Sequence, residues 1–297
     1  MGAGAVGLYY GARLALNGED VSFLLRSDYE AVKERGIIVE SVDGDAVLEK
    51  VKCYRTPEEI GEVDWVIIAW KATSNDHFEE TVGPLIGPQT GILTLQNALG
   101  NCERLAELFG AERVLGGLCF VCINRLGEGH VKHTAGGKVT IGEWRAQPGN
   151  PRAERLSSGF RSAGVISEVA ENLGAAQWRK LVWNVPFNGL AIAEGGVTTD
   201  VLLADPEIEG SIRELMREVI AGAAALGFEI DDQVIDFEIN RTRPMGAYRP
   251  SSMIDFVEGK PVEYEAIWGE PLKRAMAAGV SVPCMERLAV RIREKLA

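Results

Sequence analysis

The sequence is poor in the residues that build disulfide frameworks and metal centres. It has five cysteines, an odd number that predicts reduced thiols rather than a disulfide network, and three histidines. Cys119 and Cys122 form a CxxC motif, but they lie in an apolar run typical of a buried strand, and no second ligand pair follows at zinc spacing. We therefore interpret both cysteines as core residues and expect no metal site.

Long apolar runs and positive charge are also scarce. No window reaches the roughly 18 apolar residues of a membrane-spanning helix, and the first residues lack the basic region and cleavage site of an export signal. The formal net charge is −12, which argues against general binding to nucleic acid or to anionic membranes. We expect a cytoplasmic protein in which an anionic ligand needs a local positive site.

The chain has 297 residues, which is enough for two domains of about 150 residues each. Its two halves differ in their sequence patterns. Apolar and amphipathic stretches alternate in the first half, which predicts an α/β domain with a Rossmann-type, doubly wound sheet of parallel strands. From Gln177 onward the sequence has the periodicity of long helices, except at residues 249–269, where we predict a polar loop that enters a helix. We predict a nucleotide-binding domain at residues 1–168 and an all-helical domain at residues 169–297.

A glycine motif, G-x-G-x-x-G, stands at the start of the first predicted helix. Such glycines permit a tight turn, let backbone amides approach a pyrophosphate and place that charge at a helix N-terminus. The strand expected before the motif is missing, since only Met1 precedes it. The residues predicted to hold the cofactor here are Gly2, Ala3, Gly4, Ala5, Val6 and Gly7.

Arg26 ends the next predicted strand, where the cofactor type is usually decided. An acid at this place accepts from the ribose of NAD, whereas an arginine pairs with the 2′-phosphate of NADP. NADP is therefore favoured, and a plain surface cation is the alternative interpretation.

Three polar residues in the second half share one face of a predicted helix. Lys180, Asn184 and Asn188 are spaced four apart, so they drift only about 80° around the helix axis. Amides in an otherwise apolar helix need partners, and a ligand is one such partner. The alternative is that Lys180 reaches solvent while the asparagines cap neighbouring loops. Asn97 ends another apolar strand, at the edge where ligands of open α/β sheets bind.

Taken together, these motifs resemble the ketopantoate reductase family. The resemblance spans nearly the whole chain in the right order. Its elements are GAGAVG, the strand-end Arg26, Lys71 after WVIIAW, LQNALGN, the helix with Lys180, Asn184 and Asn188, LLADPE, and SSM followed by a glutamate.

The resemblance implies an N-terminal Rossmann domain, an all-helical C-terminal domain and a site in the cleft between them. NADPH would reduce the C2 ketone of 2-dehydropantoate to give pantoate, on the route to pantothenate and coenzyme A. Lys180 would be the general acid and Glu263 would hold a substrate hydroxyl, in preference to Glu265. Further substrate contacts would come from Asn97, Asn184, Asn188, Ser252 and Thr198, while Arg26 and Lys71 would hold the cofactor phosphates. Asn97 would also be a catalytic residue and contact the cofactor.

The chemistry agrees with these roles, because hydride addition creates an oxyanion that a cation and amide donors stabilise. Four departures from the family pattern matter. The first strand is absent and the spacing from SSM to the glutamate is one residue short, while Ser74 stands where a glutamine is common and Thr198 where an asparagine is common. They leave open a reductase of another 2-oxo or 3-hydroxy acid. A non-catalytic NADP-binding regulator is a further alternative, and a homodimer is the oligomer that we leave open.

Overall fold

The structure, a computed structural model, describes residues 1–145 and 151–297. Most of the Pro/Gly-containing connection expected at residues 147–152 therefore lies outside the described residues. The chain divides into two units: residues 1–97 with 101–173, and residues 98–100 with 174–297.

All the strands described belong to the first unit. They are β1 (Ser22–Leu24), β2 (Ile37–Ser41), β3 (Ala46–Leu48), β4 (Lys52–Tyr54), β5 (Val63–Ile68), β6 (Ile86–Thr94), β7 (Val114–Gly127), β8 (His130–Glu143) and β9 (Ser167–Val169). Seven of them form one sheet in the order β3-β2-β8-β7-β6-β5, with β9 beside β8, while β1 and β4 pair separately.

The helices of the first unit are α1 (Ala5–Leu16), α2 (Tyr29–Arg35), α3 (Phe78–Val82), α4 (Asn101–Phe109) and α5 (Arg152–Ser162). Those of the second are α6 (Leu173–Ala193), α7 (Thr199–Ala204), α8 (Pro206–Ala225), α9 (Gln233–Thr242), α10 (Ser251–Val257), α11 (Glu270–Ala277) and α12 (Pro283–Leu296). The predicted helix start at Asp205 is confirmed, since its carboxylate accepts from the Glu207 and Ile208 backbone N–H groups.

The α/β class with a helical second half is confirmed, but the sheet is mixed rather than wholly parallel. Strands β5, β6 and β7 run parallel, as expected. The next strand, β8, turns back and pairs antiparallel with β7. A tight turn through Gly129, at φ +65°, makes this hairpin, and no crossover helix is needed for it.

The prediction of a polar loop that enters a helix at residues 249–269 is wrong in part, because Ser251–Val257 already forms helix α10. The cause is a tertiary contact: the Asn188 side chain of α6 accepts from the backbone N–H of Ser252, one of the donors that a helix start leaves unpaired. The predicted core role of the CxxC cysteines also holds only in part. Cys119 and Cys122 form no disulfide with any described residue and are only half-buried, because β7 becomes more exposed beyond Leu118.

No strand precedes α1 in the described residues. Met1 instead makes two backbone hydrogen bonds to the outer edge of β5: its amine donates to the Ile67 carbonyl at 2.7 Å, and its carbonyl accepts from the Ala69 N–H at 2.8 Å. These bonds place the glycine turn beside the carboxyl end of β5.

In the second unit, α6 is the central helix. Its apolar side chains are buried on nearly every side, as is typical of a helix that other helices surround. Gly189 packs against Leu288 of α12, and the Trp268 indole donates to the Val185 carbonyl at 3.0 Å. Among the described residues, no helix is both long enough and apolar enough to cross a membrane.

Candidate active site

The glycine turn leads directly into α1. Gly2 has a φ of +81°, and a Cβ there would lie 2.3 Å from the Trp70 backbone nitrogen, so no larger residue fits. A Cβ on Gly7 would lie 2.2 Å from the Gly2 carbonyl oxygen. Gly4, the residue before the helix, faces open space and provides no side-chain cap. The first N–H groups of a 12-residue helix are therefore left for an anion.

The loop after β1 presents an arginine and holds its neighbouring acid away from ligands. Arg26 is exposed and forms no ion pair with any described residue. Asp28 is buried, and its carboxylate accepts from the Ser27 hydroxyl, from the Arg125 guanidinium and from the Gly129 N–H at 2.9 Å. The acid nearest to the strand end thus has a structural role. The sequence alone did not predict this role for Asp28.

The carboxyl ends of β5 and β6 carry the other two residues predicted for the first unit. Lys71 is exposed and precedes a 3₁₀ helix at Ala72–His77. Asn97 follows β6 and is half-buried. Ala98, next along the chain, has a φ of +68° and is the only non-glycine residue of the described chain with a positive φ. This strained conformation fixes the direction of the loop just beyond Asn97.

Helix α6 brings together three predicted residues of the second unit. Lys180 is half-buried, and Asn184 follows one turn later with only 7% of its surface exposed. The Asn184 side-chain amide makes no hydrogen bond with any described residue, although its backbone carbonyl accepts from the Asn188 side chain at 3.2 Å. A nearly buried amide with open hydrogen-bonding capacity, one turn from an ammonium group, has the chemistry to bind a polar ligand.

Asn188 caps a neighbouring segment, as the alternative interpretation of the two asparagines expected. It is 2% exposed, and its Oδ1 accepts from the Ser252 backbone N–H at 3.0 Å. Its Nδ2 donates to the Asn184 carbonyl, which leaves one amide hydrogen for a ligand. Ser252 itself is fully buried at the start of α10.

The last two predicted residues also lie in the second unit. Thr198 precedes α7, and its hydroxyl donates to the Asp200 carboxylate; this hydrogen bond is the main cause of the lowered pKa of Asp200. Glu263 is 7% exposed and precedes a π-turn at Glu265–Gly269, a distortion that is frequent at functional sites. Glu265 is exposed, which favours Glu263 as the site carboxylate.

A glycine turn at an uncapped helix and polar residues at strand ends define a dinucleotide-binding α/β protein with a helical partner unit. The ketopantoate reductase PanE/ApbA family matches residues 1–146, and its C-terminal part matches residues 172–296. The chain therefore belongs to the ketopantoate reductase family.

Individual relatives agree with this assignment. A 2-dehydropantoate 2-reductase of Nostoc sp. is 40% identical over 95% of this chain and 90% of its own. A crystal structure of a 2-dehydropantoate 2-reductase from Geobacter metallireducens is 45% identical, with a TM-score of 0.96 over 99% of this chain and 98% of its own. A D-mandelate dehydrogenase in a ternary structure with NADH and anilino(oxo)acetate has a TM-score of 0.91 over 99% of this chain and 96% of its own. At 22% identity it shows the fold alone.

Proposed function

We propose that this protein is an NADPH-dependent 2-dehydropantoate 2-reductase, which converts 2-dehydropantoate to pantoate. The substrate is taken from the names of relatives that match both units of the chain at 40 and 45% identity. The structural observation that carries the chemistry is the face of α6, where the nearly buried Asn184 amide lies one turn from Lys180.

The first unit fits a dinucleotide. Gly4 has open space where a Cβ would lie, and the first turn of α1 has no side-chain cap, so its N–H groups suit a pyrophosphate. The buried indole N–H of Trp70, beside Gly2, also has no partner among the described residues. We assign Gly2, Gly4 and Gly7 with the intervening residues to the pyrophosphate, and Lys71 to a cofactor phosphate.

When bound, NADPH supplies the hydride that reduces the C2 ketone. Lys180 then donates a proton to the oxygen that becomes the hydroxyl of the product. Its positive charge also stabilises the negative charge that develops on this oxygen, and Asn184 adds an amide donor. Both contributions are larger in the transition state than in the ground state, so they raise kcat.

The remaining residues orient the substrate. Glu263 accepts a hydrogen bond from a substrate hydroxyl, and Asn97, Ser252 and Thr198 complete the polar contacts. Asn188 holds the start of α10, which carries Ser252, and offers its remaining amide hydrogen.

Lys180 provides the direct test of the mechanism. Lys180→Ala should lower kcat for 2-dehydropantoate by roughly 10²- to 10⁴-fold, the usual contribution of a general acid. NADPH affinity, measured by fluorescence titration, should not change. Lys295→Ala, at an exposed lysine near the end of α12, is the matched control and should behave like the wild type. A fully active Lys180→Ala protein would show that Lys180 is not the proton donor.

The preference for NADPH over NADH rests on Arg26 and Asp28. Arg26 is free to pair with a 2′-phosphate, while Asp28 is engaged by three donors and so is not available to a ribose. A charge-assisted pair contributes about 1.5–3 kcal/mol, so Arg26→Ala should weaken NADPH binding by roughly 10- to 100-fold. NADH binding should stay the same, and Lys50→Ala provides a control for removal of a surface charge. Equal losses for both cofactors would refute the assignment.

A different 2-oxo acid is the second candidate substrate. Thr198 favours it, because its hydroxyl is engaged by Asp200 and so is less available than the amide common in the family. A panel of 2-oxo acids decides between them: the proposed function is wrong if NADPH oxidation with 2-dehydropantoate is negligible while another acid is reduced efficiently.

A further inference from the structure

Two segments at the carboxyl edge of the sheet carry residues assigned to different ligands. The 3₁₀ helix at Ala72–His77 directly follows Lys71, which is assigned to the cofactor. The loop after β6 carries Asn97, which is assigned to the substrate. Nothing in the sequence spacing connects the two segments, yet the structure joins them through side-chain amides.

The connection is a chain of four hydrogen bonds, which we call the amide relay. The Thr94 hydroxyl donates to Gln96 Oε1 at 2.8 Å, and Gln96 Nε2 donates to Asn75 Oδ1 at 2.7 Å. Asn75 Nδ2 donates to Asn101 Oδ1 at 2.7 Å, and Asn101 Nδ2 donates to the Asn97 backbone carbonyl at 2.9 Å. Thr94, at the start of the relay, and Asn101, which donates its last bond, are each only 2% exposed.

The direction of the relay is fixed by its last bond. A backbone carbonyl only accepts, so Asn101 must turn its NH₂ group toward Asn97 and its oxygen toward Asn75. Asn75 must then donate to Asn101 and accept from Gln96. Each amide orientation follows from the next, and hydrogen bonds that run in one direction polarise one another. The 3₁₀ helix and the Asn97 loop therefore hold each other through Asn75.

The relay ends where the backbone is strained. The Asn97 carbonyl that accepts from Asn101 belongs to the peptide bond leading into Ala98, whose φ of +68° is costly for an alanine. A strained conformation persists only where its surroundings determine it. The hydrogen bond from Asn101 fixes this peptide plane and thereby the position of the Asn97 side chain.

We propose that Asn75 is a positioning residue, which acts through Asn101 to hold Asn97 in its productive orientation and links the cofactor segment to the substrate loop. This inference rests on the proposed function for the roles of Lys71 and Asn97. It adds a residue to the site that touches neither ligand in the proposed mechanism.

Two substitutions test the proposal in different ways. Asn75→Leu removes both hydrogen bonds, while Asn75→Asp keeps the shape and the acceptor for Gln96 but loses the donor for Asn101. If the Asn101 amide flipped to donate to the new carboxylate, its oxygen would face the Asn97 carbonyl. Two acceptors cannot form a hydrogen bond, so the bond to Asn97 would be lost. A displacement of about 1 Å costs on the order of 100-fold in rate, so both variants should lose roughly 10- to 100-fold in kcat/KM for 2-dehydropantoate, with NADPH affinity retained.

The pH profile separates positioning from a general loss of structure. A protonated carboxylic acid donates through its O–H, as the asparagine amide does through its N–H. The kcat/KM of Asn75→Asp, relative to the wild type at the same pH, should therefore rise as the pH falls, whereas that of Asn75→Leu should not. Gln89→Leu, at an exposed amide of β6, is the matched control and should match the wild type.

Hydrogen exchange tests the relay without any turnover. Deuterium uptake by the peptide covering residues 95–101 should be faster in Asn75→Leu than in the wild type or in Gln89→Leu. Equal uptake, or an Asn75→Asp protein whose relative activity does not depend on pH, would overturn the proposal. If the wild-type protein does not reduce 2-dehydropantoate, the proposed function fails, and the exchange measurement alone decides on the relay.

Discussion

Asn188→Ala should destabilise the second unit whether or not a ligand is bound. The substitution removes the acceptor for the Ser252 backbone N–H, which is buried in a residue that is 1% exposed. A buried donor left without a partner costs about 1–3 kcal/mol, and the lost contact to the Asn184 carbonyl adds less. A total of about 2 kcal/mol corresponds to a fall in Tm of roughly 4–8 °C for a unit of this size.

The assay is thermal unfolding followed by circular dichroism, with two companion variants. Asn188→Asp keeps an acceptor for the Ser252 N–H and should be less destabilised than the alanine variant. Ser251→Ala changes an exposed neighbour in the same helix and should leave Tm unchanged. A wild-type Tm for Asn188→Ala would refute the capping role and would return Asn188 to a purely ligand-binding one.

Three further predictions concern backbone strain, pH and capping. Ala98→Gly should raise the free energy of unfolding in urea by roughly 0.5–1 kcal/mol, since glycine tolerates the positive φ; a loss of stability would contradict this. Burial opposes ionisation of Glu209, but hydrogen bonds from Arg243 and Arg213 lower its pKa. Ionised Glu209 therefore stabilises the protein above the unfolded-state pKa of about 4.3, and this contribution is lost as the pH falls further. Below this pH, the free energy of unfolding of Glu209→Gln should fall less steeply with pH than that of the wild type. Asp205→Ala should cost about 1 kcal/mol in the same urea assay, because α8 loses its cap.

The features that the sequence predicted well are local ones. The glycine turn, the helix start at Asp205 and the shared face of Lys180 and Asn184 follow from spacings of a few residues, where helix geometry alone fixes direction. The sequence also predicted the end of β6 before Asn97, because the apolar run of the strand stops at polar residues there.

The features that the sequence did not predict depend on residues far apart in the chain. Asn75 meets Gln96 and Asn101 across 21 and 26 residues, and Asn188 reaches Ser252 across 64. Amides at such separations have no periodic signature, so only the fold reveals that they pair. The same contact explains why α10 is a helix, since its first turn takes an acceptor from α6 rather than from its own sequence.

Steady-state NADPH oxidation by the purified protein, with 2-dehydropantoate as substrate, is the decisive measurement for the proposed reaction. We expect turnover that saturates with substrate, yields pantoate and is nearly abolished by Lys180→Ala. No oxidation above the rate without substrate, from a folded protein that binds NADPH, would contradict the proposed reaction.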